Sequence, residues 1–254
     1  MIAPHYARPL IRACGMREAF LWREPSTESE PASELLPGEE FAVLEYSGAL
    51  AWGYCVADHY VGYIEAIELT ETVEPTHIVC EASAPIHPED GIVSPVLARL
   101  PMGSRLHGHE RGPCLATEAG CVPLCYLRRI GEFDPDPVDV AERLLGTPYR
   151  RGGRSYRGID CSGLVQLAFG LCGLPLPRES DQQQALGEPV SEGARLRRGD
   201  LLFSGRHVAL ALDAASVIHV AWTARAVAIE PVDAVAEPGN PAPVIRRRLP
   251  TFSR

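Results

Sequence analysis

One cysteine among the eight in this 254-residue chain is placed for chemistry. Cys161 follows Gly158-Ile159-Asp160 and precedes Leu164, Leu167, Ala168 and Leu171, apolar residues at helical spacing. Cys172-Gly173 closes that run, with Pro175 beyond. Cys161 therefore sits at or just inside a helix N-terminus. There the unpaired backbone N–H groups and the helix dipole favour a thiolate. The same N–H groups can receive the oxygen charge that develops when a thiolate attacks an amide carbonyl. A helix-start cysteine alone is a weak signal, because a working thiolate at neutral pH also needs a base. His207 opens the apolar run His207-Val208-Ala209-Leu210-Ala211-Leu212, and His219 lies twelve residues on in Ser216-Val217-Ile218-His219-Val220-Ala221. Either histidine alone reads equally well as a satisfied core residue. Together with Cys161 they make a Cys–His–polar triad the better account: His207 takes the thiol proton and His219 orients it through the second ring nitrogen. Asp160 suits a helix N-cap better than a chemical role.

Several elements must hold these residues. Arg198-Gly199-Asp200-Leu201-Leu202-Phe203 reads as a turn into a strand. With the two histidine runs it makes a β meander, turned at Gly205 and Asp213-Ala214. Phe133-Asp134-Pro135-Asp136-Pro137 is an acidic, Pro-rich linker and helix start. Residues 138–146 then read as a short helix stopped by Gly146. Upstream, Phe41–Tyr46, a strand around Trp52–Val56 and Asp58–Ile64, separated by Gly/Pro turns, indicate a small all-β barrel over 18–70. A diverged second copy spans 76–130, with Ala84-Pro85-Ile86-His87-Pro88 and then Ser94 to Leu106.

Charge is uneven. Residues 1–130 hold nine Arg against 18 Asp and Glu, whereas 131–254 hold 15 of each, so the net charge of −9 lies in the first half. This argues against nucleic-acid and anionic-membrane partners. It suits either a ligand with a free amine or plain solubility. All 24 basic residues are Arg, which reads as compositional bias. No apolar run reaches the length of a membrane span. The start, MIAPHYARPLIRACGMREAF, has no basic, apolar and small-residue leader pattern, so a cytoplasmic location is expected. In that compartment free thiols are expected over disulfides. His107, His109, Cys114, Cys121 and Cys125 match no zinc-ribbon spacing, and neither a metal nor another cofactor is expected.

Residues 135–250 resemble the NlpC-type cell-wall peptidases of the papain-like superfamily. The resemblance rests on Gly146-Thr147-Pro148-Tyr149, Gly152-Gly153, Asp160-Cys161-Ser162-Gly163-Leu164, Pro177-Arg178-Glu179-Ser180, Arg198-Gly199-Asp200-Leu201, His207-Val208-Ala209-Leu210 and Ile218-His219-Val220, in family order. Val-Ala-Leu after His207 stands where many relatives have Val-Gly-Ile. The two upstream copies resemble bacterial SH3-like domains, although the second lacks the Trp and the Gly-Tyr ending. The resemblance implies an α+β fold: a papain-like domain, with the Cys-bearing helix packed on an antiparallel sheet, preceded by two small SH3-like β-barrels. It implies catalytic Cys161 and His207, His219 as third member, and Tyr149 with its hydroxyl near the nucleophile.

The tandem arrangement is similar to a subgroup of γ-D-glutamyl-L-diamino acid endopeptidases, which act on stem peptides with a free N-terminal L-Ala. By alignment, the residues binding that amine fall on Glu30, Tyr60, Glu179 and Ser180, with Glu179 replacing the usual Asp. Asp160 and Ser162 complete the expected substrate-binding set. The expected partners are peptidoglycan-derived peptides in a bacterial cell, and a monomer is expected. Arg150, Arg151, Arg154 and Arg157 read ordinarily as a solvated loop, or more sharply as contacts to substrate carboxylates. Two other classes stay open: an amidase or acyltransferase on the same scaffold, and a non-catalytic peptide-binding SH3-like module.

Overall fold

The structure is a computed structural model that describes residues 8–88, 95–236 and 242–250. Ser94 of the second copy and the first seven residues of the stretch read for a leader lie outside them. The first β unit comprises β1 (Leu10–Cys14), β2 (Ala19–Leu21), β3 (Ser33–Leu35), β4 (Glu40–Ser47), β5 (Leu50–Cys55), β6 (Val61–Glu65) and β7 (Leu69–Thr70). Five of these form one sheet in the order β6-β5-β4-β1-β7, and β2 pairs with β3. Burial alternates strictly along β5, so one face of it closes on Leu21, Leu35, Phe41 and Ile64. The sheet recruits β1 from before residue 18. The outer half of that strand is exposed, so its sequence carries no burial alternation.

The second β unit comprises β8 (His77–Val79), β9 (Ser83–Ile86), β10 (Ala98–Pro101), β11 (Arg105–Leu106), β12 (His109–Arg111), β13 (Cys114–Thr117), β14 (Gly120–Pro123) and β15 (Leu127–Arg129). Its short sheets enclose Val79, Ile86, Leu100, Leu115 and Val122. The expectation of free thiols fails here: Cys114 and Cys121 are joined as a disulfide across the β13–β14 hairpin. Tight pairing of adjacent strands brings the two Cα atoms to 5.9 Å, within bridging range.

The third unit carries α1 (Pro137–Glu142), β16 (Arg154–Ser155), β17 (Gly158–Ile159), α2 (Cys161–Leu171), α3 (Ser180–Gln184), β18 (Glu188–Pro189), β19 (Leu201–Ser204), β20 (His207–Ala211), β21 (Ser216–Val220), β22 (Val227–Pro231) and β23 (Val244–Arg248). Asp136 caps α1 by accepting from Val138 N–H at 2.8 Å, and α1 ends at Glu142, short of Gly146. The last six strands form one antiparallel sheet, β18-β23-β19-β20-β21-β22. Helix α2 lies on its centre: Leu164, Val165, Ala168 and Leu171 share a core with Val208, Leu210, Ile218 and Val220. The fold is α+β, with the Cys-bearing helix packed on an antiparallel sheet.

Nine of the 11 residues of α2 are buried, more than one sheet can cover. The β units supply the rest. Leu36 of the first and Met102 of the second belong to the same core as α2. Gly103 sits at this junction with φ +85°, where an added Cβ would lie 2.8 Å from Leu167 and 2.9 Å from Leu36. Only glycine accepts both that backbone and that proximity.

Electrostatics joins the first β unit to the third unit. Arg150 pairs with buried Glu34, Arg151 with Glu30, Arg154 with buried Glu39 and Arg157 with Glu18. Arg154 reaches Glu39 through two nitrogens, at 2.7 and 3.0 Å, and its own N–H donates to Glu34 at 2.5 Å. Arg150 and Arg154 are thus drawn into the molecule by buried acids, whereas Arg151 and Arg157 stay exposed. Acidity in the N-terminal half is matched, at this face, inside the molecule. At Glu39, burial pushes the carboxyl up, but Arg154, Arg105 and the Leu36 N–H together outweigh it and hold the group below the ordinary carboxylate range.

Candidate active site

The start of α2 is fixed by Asp160. Its Oδ1 accepts from Gly163 N–H at 2.8 Å, an N-cap bond, and its Oδ2 accepts from Gly152 N–H at 2.9 Å. Arg178, itself buried, donates to both oxygens, at 2.9 and 2.6 Å, and to Ser162 Oγ at 2.9 Å. Ser162 Oγ also bonds Asp160 Oδ1 at 3.2 Å. The polar atoms of Asp160 and Ser162 are therefore already committed to one network that sets the first turn. This is the structural role for Asp160, and it leaves little acceptor capacity for a ligand.

Cys161 emerges from that turn into a cleft of about 970 Å³. Glu30, Tyr149, Asp160, Ser162, Glu179, Ser180 and His207 line the same cleft. Gly205 turns β19 into β20, so His207 heads β20 opposite Ser204. Strand alternation then places three side chains on one face of the sheet. Extending the β20–β21 register by one residue puts His219 opposite Ala209, diagonal to His207. Glu230, opposite Val217, is diagonal to His219. The contacts follow. His207 Nε2 and His219 Nδ1 are 2.8 Å apart, and His219 Nε2 lies 3.0 Å from Glu230 Oε2. Trp222 leans over the His207 ring at 4.8 Å between centroids.

Burial favours the neutral form of both Cys161 and His207. Burial, with the Asp160 charge adding, pushes the Cys161 thiol up to about 11, against the pull of backbone N–H groups and Arg178. Burial, with His219 adding, pushes His207 down to about 3. A neutral imidazole keeps one nitrogen lone pair able to accept a proton, and its Nδ1 is the nitrogen not used on His219. Tyr149 is half-exposed and hydrogen-bonds Arg225 O through its N–H at 2.7 Å. Burial followed by the Asp160 and Cys161 charges raises its hydroxyl pKa, so the phenol stays a donor.

The far end of the cleft is built from two units. Tyr60 OH bonds Glu179 Oε1 at 3.1 Å, and Ser180 Oγ donates to Arg206 O at 2.8 Å. Arg23 ion-pairs with Glu179 and donates to Tyr60 OH at 3.2 Å. Tyr60, Glu179 and Ser180 are thus grouped, whereas the Glu30 carboxylate turns to Arg151 at 2.5 Å. Glu230, Arg178, Arg23 and Trp222 escaped the sequence reading. Of these, Arg178 alone had a signal, its place in Pro177-Arg178-Glu179-Ser180.

Residues 146–237 match the model of the NlpC/P60 family, and residues 21–69 match the bacterial dipeptidyl-peptidase SH3 domain. Dipeptidyl-peptidase 6 of Lysinibacillus sphaericus is 30% identical over 244 residues, 85% of this chain and 89% of that protein. The chain belongs to the NlpC/P60 family. Peptidases of this family are cysteine peptidases. A murein DD-endopeptidase/LD-carboxypeptidase of Escherichia coli, MepS, is 40% identical over 95 residues, 32% of this chain and 50% of that protein. The crystal structure of an NlpC/P60 protein from Bacillus cereus superposes with a TM-score of 0.80 at 20% identity, covering 95% of this chain and all of that one. That likeness carries the arrangement of the whole NlpC/P60 fold, from the β units to the sheet.

Proposed function

We propose that this NlpC/P60 protein hydrolyses the γ-D-glutamyl–diamino acid bond of peptidoglycan stem peptides that begin with a free L-Ala. Cys161 is the nucleophile and His207 the base. The thiol proton passes to His207 Nδ1 as Sγ bonds to the γ-carbonyl carbon. The oxygen charge falls near the N–H groups at the start of α2 and the Tyr149 hydroxyl. His207 returns the proton to the leaving amine, which departs with the diamino acid. Water, deprotonated by His207, then hydrolyses the thioester and frees L-Ala-D-Glu.

The observation carrying this reading is the far end of the cleft, where Tyr60 of the first β unit meets Glu179 of the catalytic unit. On this reading the Tyr60–Glu179 contact closes the cleft and limits what precedes the scissile bond to a short peptide. The dipeptidyl-peptidase relative supports release of a two-residue product. Glu179 is held by Arg23, whose side chain is 61% exposed. Such surface ion pairs are worth about 1 kcal/mol or less, so a substrate ammonium can take the place of the guanidinium.

The test is incubation with L-Ala-γ-D-Glu-diaminopimelate and, separately, with the same stem capped by N-acetylmuramic acid, reading products by mass. Release of L-Ala-D-Glu from the free peptide alone is expected. Comparable cleavage of the capped stem would sink the free-amine reading.

A further inference from the structure

The third member of the Cys161–His207–His219 series is not the end of it. His219 is fully buried, with both ring nitrogens occupied. Glu230 is only partly buried, and Thr223 Oγ1 donates to its other oxygen at 3.2 Å. A carboxylate can only accept hydrogen bonds. His219 Nε2 must therefore carry a proton, and the neutral ring leaves Nδ1 as a lone pair. That lone pair faces His207 Nε2, which must then carry the proton of that ring. The consequence is that His207 Nδ1 is a lone pair, as a base requires. Geometry at the outermost residue dictates the tautomer at the innermost.

We propose that Glu230 is a positioning residue that fixes the tautomers of both histidines and stabilises the charge His207 acquires when it takes the Cys161 proton. This rests on the reading of Cys161 and His207 as nucleophile and base, and is independent of the substrate. Without Glu230, His219 is free to adopt the other tautomer, with hydrogen on Nδ1. His207 Nε2 then becomes the acceptor and its Nδ1 carries the hydrogen, which abolishes the base. The carboxylate also faces the imidazolium through one intervening ring. The charged or titratable groups that line the cleft with Cys161 and His207 include Asp160, Glu179, Arg178, Arg206, Arg225 and Tyr149, and the hydrogen bonds of the His207 and His219 rings run to each other and to Glu230. A purely structural Glu230 would tie β22 to β21 and leave the chemistry alone.

Two measurements separate these roles. Nitrogen-15 NMR of the wild-type imidazoles is expected to show His219 and His207 both protonated at Nε2 and bare at Nδ1; the opposite tautomer in either ring overturns the proposal. The second measurement compares Glu230→Gln and Glu230→Ala with wild type, after melting curves confirm folding. Expected is a kcat loss of about 10- to 100-fold with KM within about twofold. This is smaller than the ~10⁴-fold cost of losing a carboxylate that orients the base directly, because His219 still holds His207. The pH at which Cys161 becomes reactive to iodoacetamide should rise by about one unit. Unchanged kcat and alkylation profile in both variants, or a loss wholly in KM, overturns it. His207→Ala is the control: if it too leaves Cys161 alkylation unchanged, the nucleophile–base reading fails rather than the role of Glu230.

Discussion

Arg178 grips Asp160 with both ends of its guanidinium, 2.9 Å to Oδ1 and 2.6 Å to Oδ2, directly beneath the helix turn that presents Cys161. Arg178 is 2% exposed, so the pair is bidentate and buried on the arginine side. Removing one partner of such a pair leaves the other charge unpaired. Arg178→Met, close in volume, is expected to cost about 3 kcal/mol of folding stability. Asp160→Asn combined with Arg178→Met should recover part of that loss. Urea denaturation of the two single variants and the double variant gives the coupling. Additive losses would mean that the pair does not act as a unit.

Arg23 offers a test of how the cleft end treats charge. If its guanidinium merely occupies the site of a substrate ammonium, Arg23→Gln lowers KM for free-amine peptides by up to about fivefold, the worth of an exposed ion pair. Turnover should not move, since Arg23 sits on Glu179 and Tyr60 rather than on Cys161. A raised KM would instead mean that Arg23 clasps a substrate carboxylate.

How much of this was legible depends on sequence separation. Cys161 and its helix were readable because a 3.6-residue period is local, and the histidine strands because β20 and β21 are short apolar runs. The pairs Arg150–Glu34 and Arg154–Glu39 were not, since 116 and 115 residues separate their members. Nothing local marks Glu39 as the acid that Arg154 needs. The acidic first half was therefore read as ligand preference or solubility, when four of its carboxylates face the arginines before Cys161. Glu230 was hidden differently. Its role depends on a strand register that places it diagonal to His219, and a one-residue slip would turn it to the other face.

The disulfide was missed because cysteine count was weighed through compartment rather than through the hairpin that aligns Cys114 with Cys121. Under denaturing conditions without reductant, iodoacetamide should label the six free cysteines, and all eight after reduction. Mass spectrometry of the oxidised protein reads this directly. Eight labels without reductant would remove the bridge. Closing so short a loop is worth about 2.5 kcal/mol on chain-entropy grounds, so Cys114→Ser should destabilise the second β unit. Cys161 reactivity, in another unit, should be unchanged.

Acid stability should report the buried histidines. Burial and the neighbouring His219 lower His207 to about 3 in the fold, from an ordinary 6.5, and burial also lowers His219, partly offset by Glu230. The unfolded chain thus binds more protons between these values. Stability from these groups is full above about pH 6.5 and is lost as pH falls toward 3. The window from 6.5 down to 5 lies above the usual carboxylate range, so histidines dominate it. Melting temperatures measured across that window should fall for the wild type and fall less for His207→Gln, whose amide cannot charge. Parallel slopes would show that the fold leaves the His207 pKa unshifted, and a steeper fall in His207→Gln than in wild type would show that the folded ring is charged, as in an ion pair with the thiolate.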